Sequence, residues 1–208
     1  NDENNGFVAG LLWAQFHRLT LHGQFMVDDF DSRGESDETI SFTLVGSLLY
    51  AAPTFDLGFT LEMVSARTYN APQPEGRYMY LLRGLATQFN DYIHASLFAD
   101  LYLDGVVPGL RVTPRLHLLA QGERDFHLPF PPKGTEMTLI LNGTVARTLR
   151  PAVQVHFQRV PWWWIRFDGG VNVMSNMGNV KDQSTTRFVG EVEFGLRLSL
   201  EDAFRLTL

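Results

Sequence analysis

Hydrophobic and polar positions alternate along most of this chain, and the segment Phe188–Leu200, FVGEVEFGLRLSL, shows the pattern that the rest repeats. Phe188, Gly190, Val192, Phe194, Leu196, Leu198 and Leu200 fall on one side of an extended strand. Val189, Glu191, Glu193, Gly195, Arg197 and Ser199 fall on the other. Successive strand side chains point to opposite faces, so this period gives one apolar face and one face that holds charge. Strands of soluble sheets usually run for about five or six residues, whereas a membrane-spanning barrel strand needs about 9–11. This segment is long enough to span.

The same parity predicts strands at 7–15, where alternation is weak, and at 19–30, 40–51 and 55–67. Others follow at 92–103, 110–121, 137–157, 163–173 and 204–208, ten in all with the first. In Leu110–Gln121 the apolar Leu110, Val112, Leu116 and Leu118 oppose Arg111, Thr113, Arg115 and His117. Met137–Phe157 keeps one parity for 21 residues, interrupted only by Arg147. Helices are hard to place; the best candidate is the short 83–90.

The connections alternate in length. Short ones lie near His17, Pro53, Gly105, Pro161 and Glu201, and long ones at 31–38, 69–90, 122–135 and 176–186. Tight turns on one side and longer loops on the other are expected of an outer-membrane barrel. The predicted fold is therefore all-β, an antiparallel up-and-down transmembrane β-barrel in a single domain. With short turns periplasmic, both chain ends fall outside, which predicts that these ten strands are part of a larger barrel. The Trp162-Trp163-Trp164 cluster, at a turn end, fits an interfacial aromatic girdle better than a sugar platform.

Composition alone points elsewhere. At 208 residues, 45% hydrophobic and net charge −6, the chain resembles an ordinary soluble domain. A barrel escapes hydropathy averages, because every second residue is polar. No run reaches the roughly 18–20 apolar residues of a membrane helix. The absence of cysteine removes disulfide scaffolds and thiolate metal sites. The acidic balance offers nucleic acid no basic patch. Alternation is symmetric, so a soluble β-barrel binding an apolar ligand in its interior is the alternative. Long strands, alternating loop lengths and charges of both signs on the polar face favour the membrane barrel.

Candidate chemistry lies on the polar, inward face. It collects Glu62, Arg67, His94, Asp100, Arg111, Arg115, His117, Arg150, His156, Arg166, Asp168, Glu191, Glu193 and Arg197. Arg166 and Asp168 stand one hairpin from Glu191, Glu193 and Arg197, a spacing that predicts cross-strand ion pairs. Such a lumen is either packed with structural pairs or a polar conduit in which arginines engage acidic groups. His94, Ser96 and Asp100 share that face, but nothing supplies a triad's spacing or oxyanion donors, so no catalytic residue is assigned. The acidic 28–38 loop lacks an EF-hand's spacing, and no metal or cofactor is expected.

The stretches GQFMVDDF, QGERDFHLPFP and DGGVNVMSNMGNV, each at the outer end of a strand, resemble bacterial outer-membrane proteins related to the capsule-assembly (Wzi-type) barrels. The Asp-Asp-Phe after an apolar strand and the Asp-Gly-Gly-x-Asn entering a loop carry the resemblance. It implies a non-catalytic barrel in the bacterial outer membrane, with more strands than are seen here. The expected partners are outer-membrane lipid and a surface polysaccharide, which the protein would bind, anchor or pass as a porin-like pore.

Overall fold

The computed structural model describes residues 6–30, 41–68, 79–80, 83–84, 89–124, 128 and 137–197. Nine long strands form one antiparallel sheet: β1 (Gly6–Phe16), β2 (Leu19–Phe30), β3 (Ser41–Ala51), β4 (Phe55–Val64), β7 (Tyr92–Tyr102), β8 (Leu110–Gln121), β9 (Ala146–Val160), β10 (Trp163–Ser175) and β11 (Thr185–Leu196). A separate two-stranded hairpin pairs β5 (Met79–Tyr80) with β6 (Arg83–Gly84). Each long strand is hydrogen-bonded to its neighbour in the sequence, apart from that small insertion between β4 and β7. The only helical turn among the described residues is the 3-10 segment Met177–Asn179.

Register carries the parity of each strand into its neighbour. One row runs Ala14, Leu21, Leu48, Phe59, Leu97, Leu116 and Pro151 from β1 to β9. The adjacent row runs Trp13, His22, Ser47, Thr60, Ser96, His117 and Arg150. In the first row Leu48, Phe59, Leu97 and Leu116 are exposed, Leu97 to 54%. In the second, from His22 onward, none is exposed and Ser96 is buried. The sheet thus curls around its polar face, crowding side chains there and splaying the apolar ones outward.

Buried hydrophobic side chains among the described residues are few: Val64, Ala66 and Tyr92. Burial is otherwise polar, and much of it gathers at the rim that carries the long connections. Asp91, fully buried, accepts bonds from the Asn142 backbone N–H (3.0 Å) and Nδ2 (3.1 Å) and from the Arg124 N–H (3.2 Å). Asn90 Nδ2 donates to the Ala66 carbonyl (2.8 Å), and Ser65 Oγ accepts the Phe42 N–H (2.9 Å). Thr68 Oγ1 donates to the Phe42 carbonyl (2.9 Å). An added Cβ on Gly122 would overlap the Asp91 carboxylate, so only glycine lets the chain leave β8 this close to it.

The sheet is antiparallel and up-and-down, as expected, and it does not close: β1 and β11 are each paired on one side only among the described residues, leaving an open curved sheet. Other expectations are corrected. The long strand expected over 137–157 begins only at Ala146. Leu141 and Gly143 take positive φ (62° and 67°), and Asn142 folds back on Thr138 through both its Oδ1 and Nδ2. Parity persists through this segment without extended backbone. β4 ends at Val64, where Ser65–Thr68 turn away. Arg83 and Gly84, at the start of the candidate helix, pair as strand instead. The expected strand 204–208 and the turn at Glu201 lie outside the described residues.

The connections do alternate. His17-Arg18, 52–54, 103–109 and Pro161-Trp162 close one rim, and 31–40, 65–91, 122–145 and 176–184 join strands at the other.

Candidate functional site

The polar face is where chemistry-bearing side chains meet. β8, β9 and β10 bring Arg115, Arg150 and Asp168 together: Arg115 Nη1 lies 3.2 Å and Arg150 Nη2 2.9 Å from the two carboxylate oxygens of Asp168. Arg115 reaches Asp168 over the intervening strand β9. Alternate strands lie about 10 Å apart in a flat sheet, a gap that the long Arg115 side chain crosses by leaning over β9. Arg166 pairs with Glu193 directly across the β10–β11 ladder. The Arg166 guanidinium also lies over the Trp164 ring, 5.8 Å from its centroid, and Trp164 stacks on His156.

A second group joins the first through His117, which pairs in register with Arg150. His117 stacks on His94 with ring centroids 5.8 Å apart and planes 8° from parallel. His94 Nδ1 stands 3.7 Å from Glu62, which also accepts the Tyr92 hydroxyl (3.3 Å). Closer to the short-turn rim, Tyr102 donates to Asp56 (2.6 Å) and Thr113 donates to Asp100. The result is a mixed-charge belt across β4, β7, β8, β9, β10 and β11. Among the residues of β1–β3 whose side chains are described, this face carries one ionisable group, His22, and presents exposed Leu11 and Trp13.

All eleven residues read from the sequence as lumen-facing therefore share one face, with Arg197 just past the end of β11. Glu62, His94, Arg115, His117, Arg166, Asp168 and Glu193 join the belt. Asp100 and Arg111 sit nearer the short turns. Glu191 and Arg197 are exposed, and neither makes an ion pair among the described residues. Asp56, Tyr92, Tyr102 and Thr113 were not among the eleven, although each has the parity of a named neighbour on its own strand; Trp164, expected with Trp162 and Trp163 in an aromatic girdle, instead shares the polar face with Arg166 and His156. Several buried polar atoms in the belt, Arg150 Nε, His117 Nε2 and Asn172 Oδ1, have no hydrogen-bond partner among the described residues. His94 and Asp100, with Ser96 between them, are engaged by Glu62 and Thr113 respectively, and they do not face one another as a relay. Among the described residues no cluster of three metal-ligating side chains occurs; Asp31, Glu35, Asp37 and Glu38 of the acidic loop lie outside them.

One titratable group beyond the strands is held by the rim network. Glu123 Oε1 accepts the Thr144 N–H (2.7 Å), and hydrogen bonding from Thr144 lowers the Glu123 carboxyl below its usual 4.5. A carboxyl depressed by folding stabilises the fold fully above its unfolded pKa, and the contribution is lost as pH falls through the folded value. Protection of the Thr144 amide from hydrogen exchange is therefore expected to drop in acid, below the usual carboxylate range. In Glu123→Gln that step should vanish. A drop of equal size in both proteins would show that the bond has no such linkage.

No protein-family model, no curated protein and no solved structure matches this chain.

Proposed function

We propose that the chain forms the wall of an outer-membrane β-barrel whose charged lumen passes or holds a hydroxyl-rich, charged surface polymer. The observation that carries the reading is that the exposed face of the sheet is the apolar one. Leu12, Phe25, Leu48, Phe59, Leu97, Leu118, Val173 and Phe194 all lie open on it. Such an area on a soluble monomer would far exceed the few hundred Å² usually left exposed. From Trp163 to Val173, ten residues rising about 3.3 Å each at a tilt of roughly 40° give an apolar band about 25 Å tall, the height a bilayer requires.

Aromatic side chains gather where that band meets the short turns. Trp163 packs against Phe157 (5.6 Å) and Phe194 (6.4 Å), and Tyr50 against Phe55 (6.2 Å). This fits an interfacial girdle. The two open edges favour a barrel completed by strands beyond these nine, since unpaired backbone groups are not tolerated against lipid. In the lumen, Arg115, Arg150 and Arg166 stay partly exposed beside their carboxylate partners, which suits carboxylate or phosphate groups on a sugar chain. The reading assigns no catalytic step. A soluble barrel around an apolar ligand would enclose the side chains that are exposed here.

Membrane fractionation, followed by electrophoresis with and without boiling, tests the proposal. Recovery in the outer membrane with a heat-dependent mobility shift is the expected result. Recovery as a soluble protein without detergent would overturn it.

A further inference from the structure

On the outer face, β7 to β10 enclose a groove of about 450 Å³ at the rim of the long connections. Its floor is the row Ala95, Leu118, Leu149 and Val173, paired strand to strand. The next row toward the rim pairs Arg147 with Ser175, and both line the groove. The volume falls within the roughly 300–1,000 Å³ of small-molecule sites. The small side chains of the lining are Ala95 at the β7 end of this row and, one row nearer the rim, Ala120 and Ser175.

Arg147 gives the groove its selectivity. Across β7–β10 the apolar parity carries no other charged side chain until Arg159, at the opposite rim. Arg147 is exposed and makes no ion pair among the described residues. On the membrane reading, this guanidinium without a carboxylate, in the row that runs Ile93, Ala120, Arg147 and Ser175, stands at the depth where lipid headgroups meet acyl chains. Its planar donors match a phosphate in two-point contact, and Ser175 adds a hydroxyl beside it.

We propose that this groove binds an anionic phospholipid, with an acyl chain along Ala95–Val173 and the net negative headgroup phosphate on Arg147. The proposal rests on the membrane reading above. A neutral lipid fills the apolar floor equally well but leaves the headgroup without net charge for Arg147.

The test is lipid retention by the purified chain in detergent, read by native mass spectrometry with phosphatidylglycerol or phosphatidylcholine of equal acyl length. The wild type should retain phosphatidylglycerol about fivefold better, the size expected of one arginine near an anionic headgroup. Arg147→Gln should bring the ratio close to one, Arg147→Lys should keep part of it, and Arg159→Gln should leave it unchanged. Ala95→Phe, which fills the floor, should lower retention of both lipids. An unchanged ratio in Arg147→Gln, or an equal loss in Arg159→Gln, would overturn the proposal. Heat-modifiable mobility is scored on each variant alongside. A chain that stays soluble without detergent refutes the membrane reading itself, whereas a heat-modifiable chain with no Arg147-dependent preference refutes the lipid site alone.

Discussion

Leu116→Arg is expected to cost about 2–4 kcal/mol of folding stability in a bilayer, the range for a cation placed near the midplane of a barrel wall. Leu116 lies between Leu97 and Pro151 in the middle of the apolar row, well away from both the Trp163 girdle and Arg147. Its backbone neighbour His117 points the other way, into the belt. His117→Arg brings a third cation beside Arg115 and Arg150, and like charges across strands cost roughly 0.2–1 kcal/mol where water screens them. Denaturant titration of both variants folded into the same bilayer measures the difference. A gap of less than about 1 kcal/mol between them would mean that Leu116 does not face hydrocarbon. In aqueous solution the order should collapse, because an exposed leucine replaced by arginine loses little there.

Parity made most of this architecture legible. Alternation fixes which residues share a face, and antiparallel pairing keeps that face from strand to strand. Spacing predicts ion pairs between Arg166 or Asp168 and Glu191, Glu193 or Arg197; Arg166–Glu193 forms across the β10–β11 ladder, whereas Asp168 is taken by Arg115 and Arg150. What parity lacks is a sign. It gives two faces without saying which way the sheet bends, and bending decides whether Leu97 or Ser96 is the exposed one. It also lacks reach. Arg115 and Asp168 belong to strands that are not neighbours, and their side chains meet at 3.2 Å over β9, a contact that nearest-neighbour pairing does not give.

The segment 137–145 failed for a related reason. Met137, Leu139 and Leu141 keep the apolar period, yet the backbone there is set by hydrogen bonds to a residue far away in sequence. Asn142-Gly143 is a turn signal in its own right, and the unbroken parity concealed it. Asn90-Asp91 ahead of β7 is another such pair: Asp91 holds a left-handed φ of 58°, a conformation that Asp tolerates better than most residues. Neither dipeptide reveals from sequence that the two lock together.

That lock makes Asp91→Ala the substitution with the largest expected effect at the long-connection rim. Removing the carboxylate leaves the buried Asn142 N–H and the half-buried Arg124 N–H without this acceptor, and takes one of the two acceptors of Asn142 Nδ2. Each unsatisfied buried donor costs about 1–3 kcal/mol, so a total of about 3–5 kcal/mol is expected after partial relaxation. Asp91→Asn keeps one oxygen acceptor and the tolerance for left-handed backbone, and should cost less than half as much. The damage should be local. β8 and β9 are held by a full ladder from Leu110–Phe157 to Gln121–Ala146, which does not pass through Asp91. Limited proteolysis is therefore expected to cut within 122–145 in Asp91→Ala while the sheet's circular dichroism persists. Simultaneous loss of the sheet signal would mean that the rim network nucleates the fold. Resistance equal to wild type would mean that water replaces the carboxylate, and that the lock is dispensable.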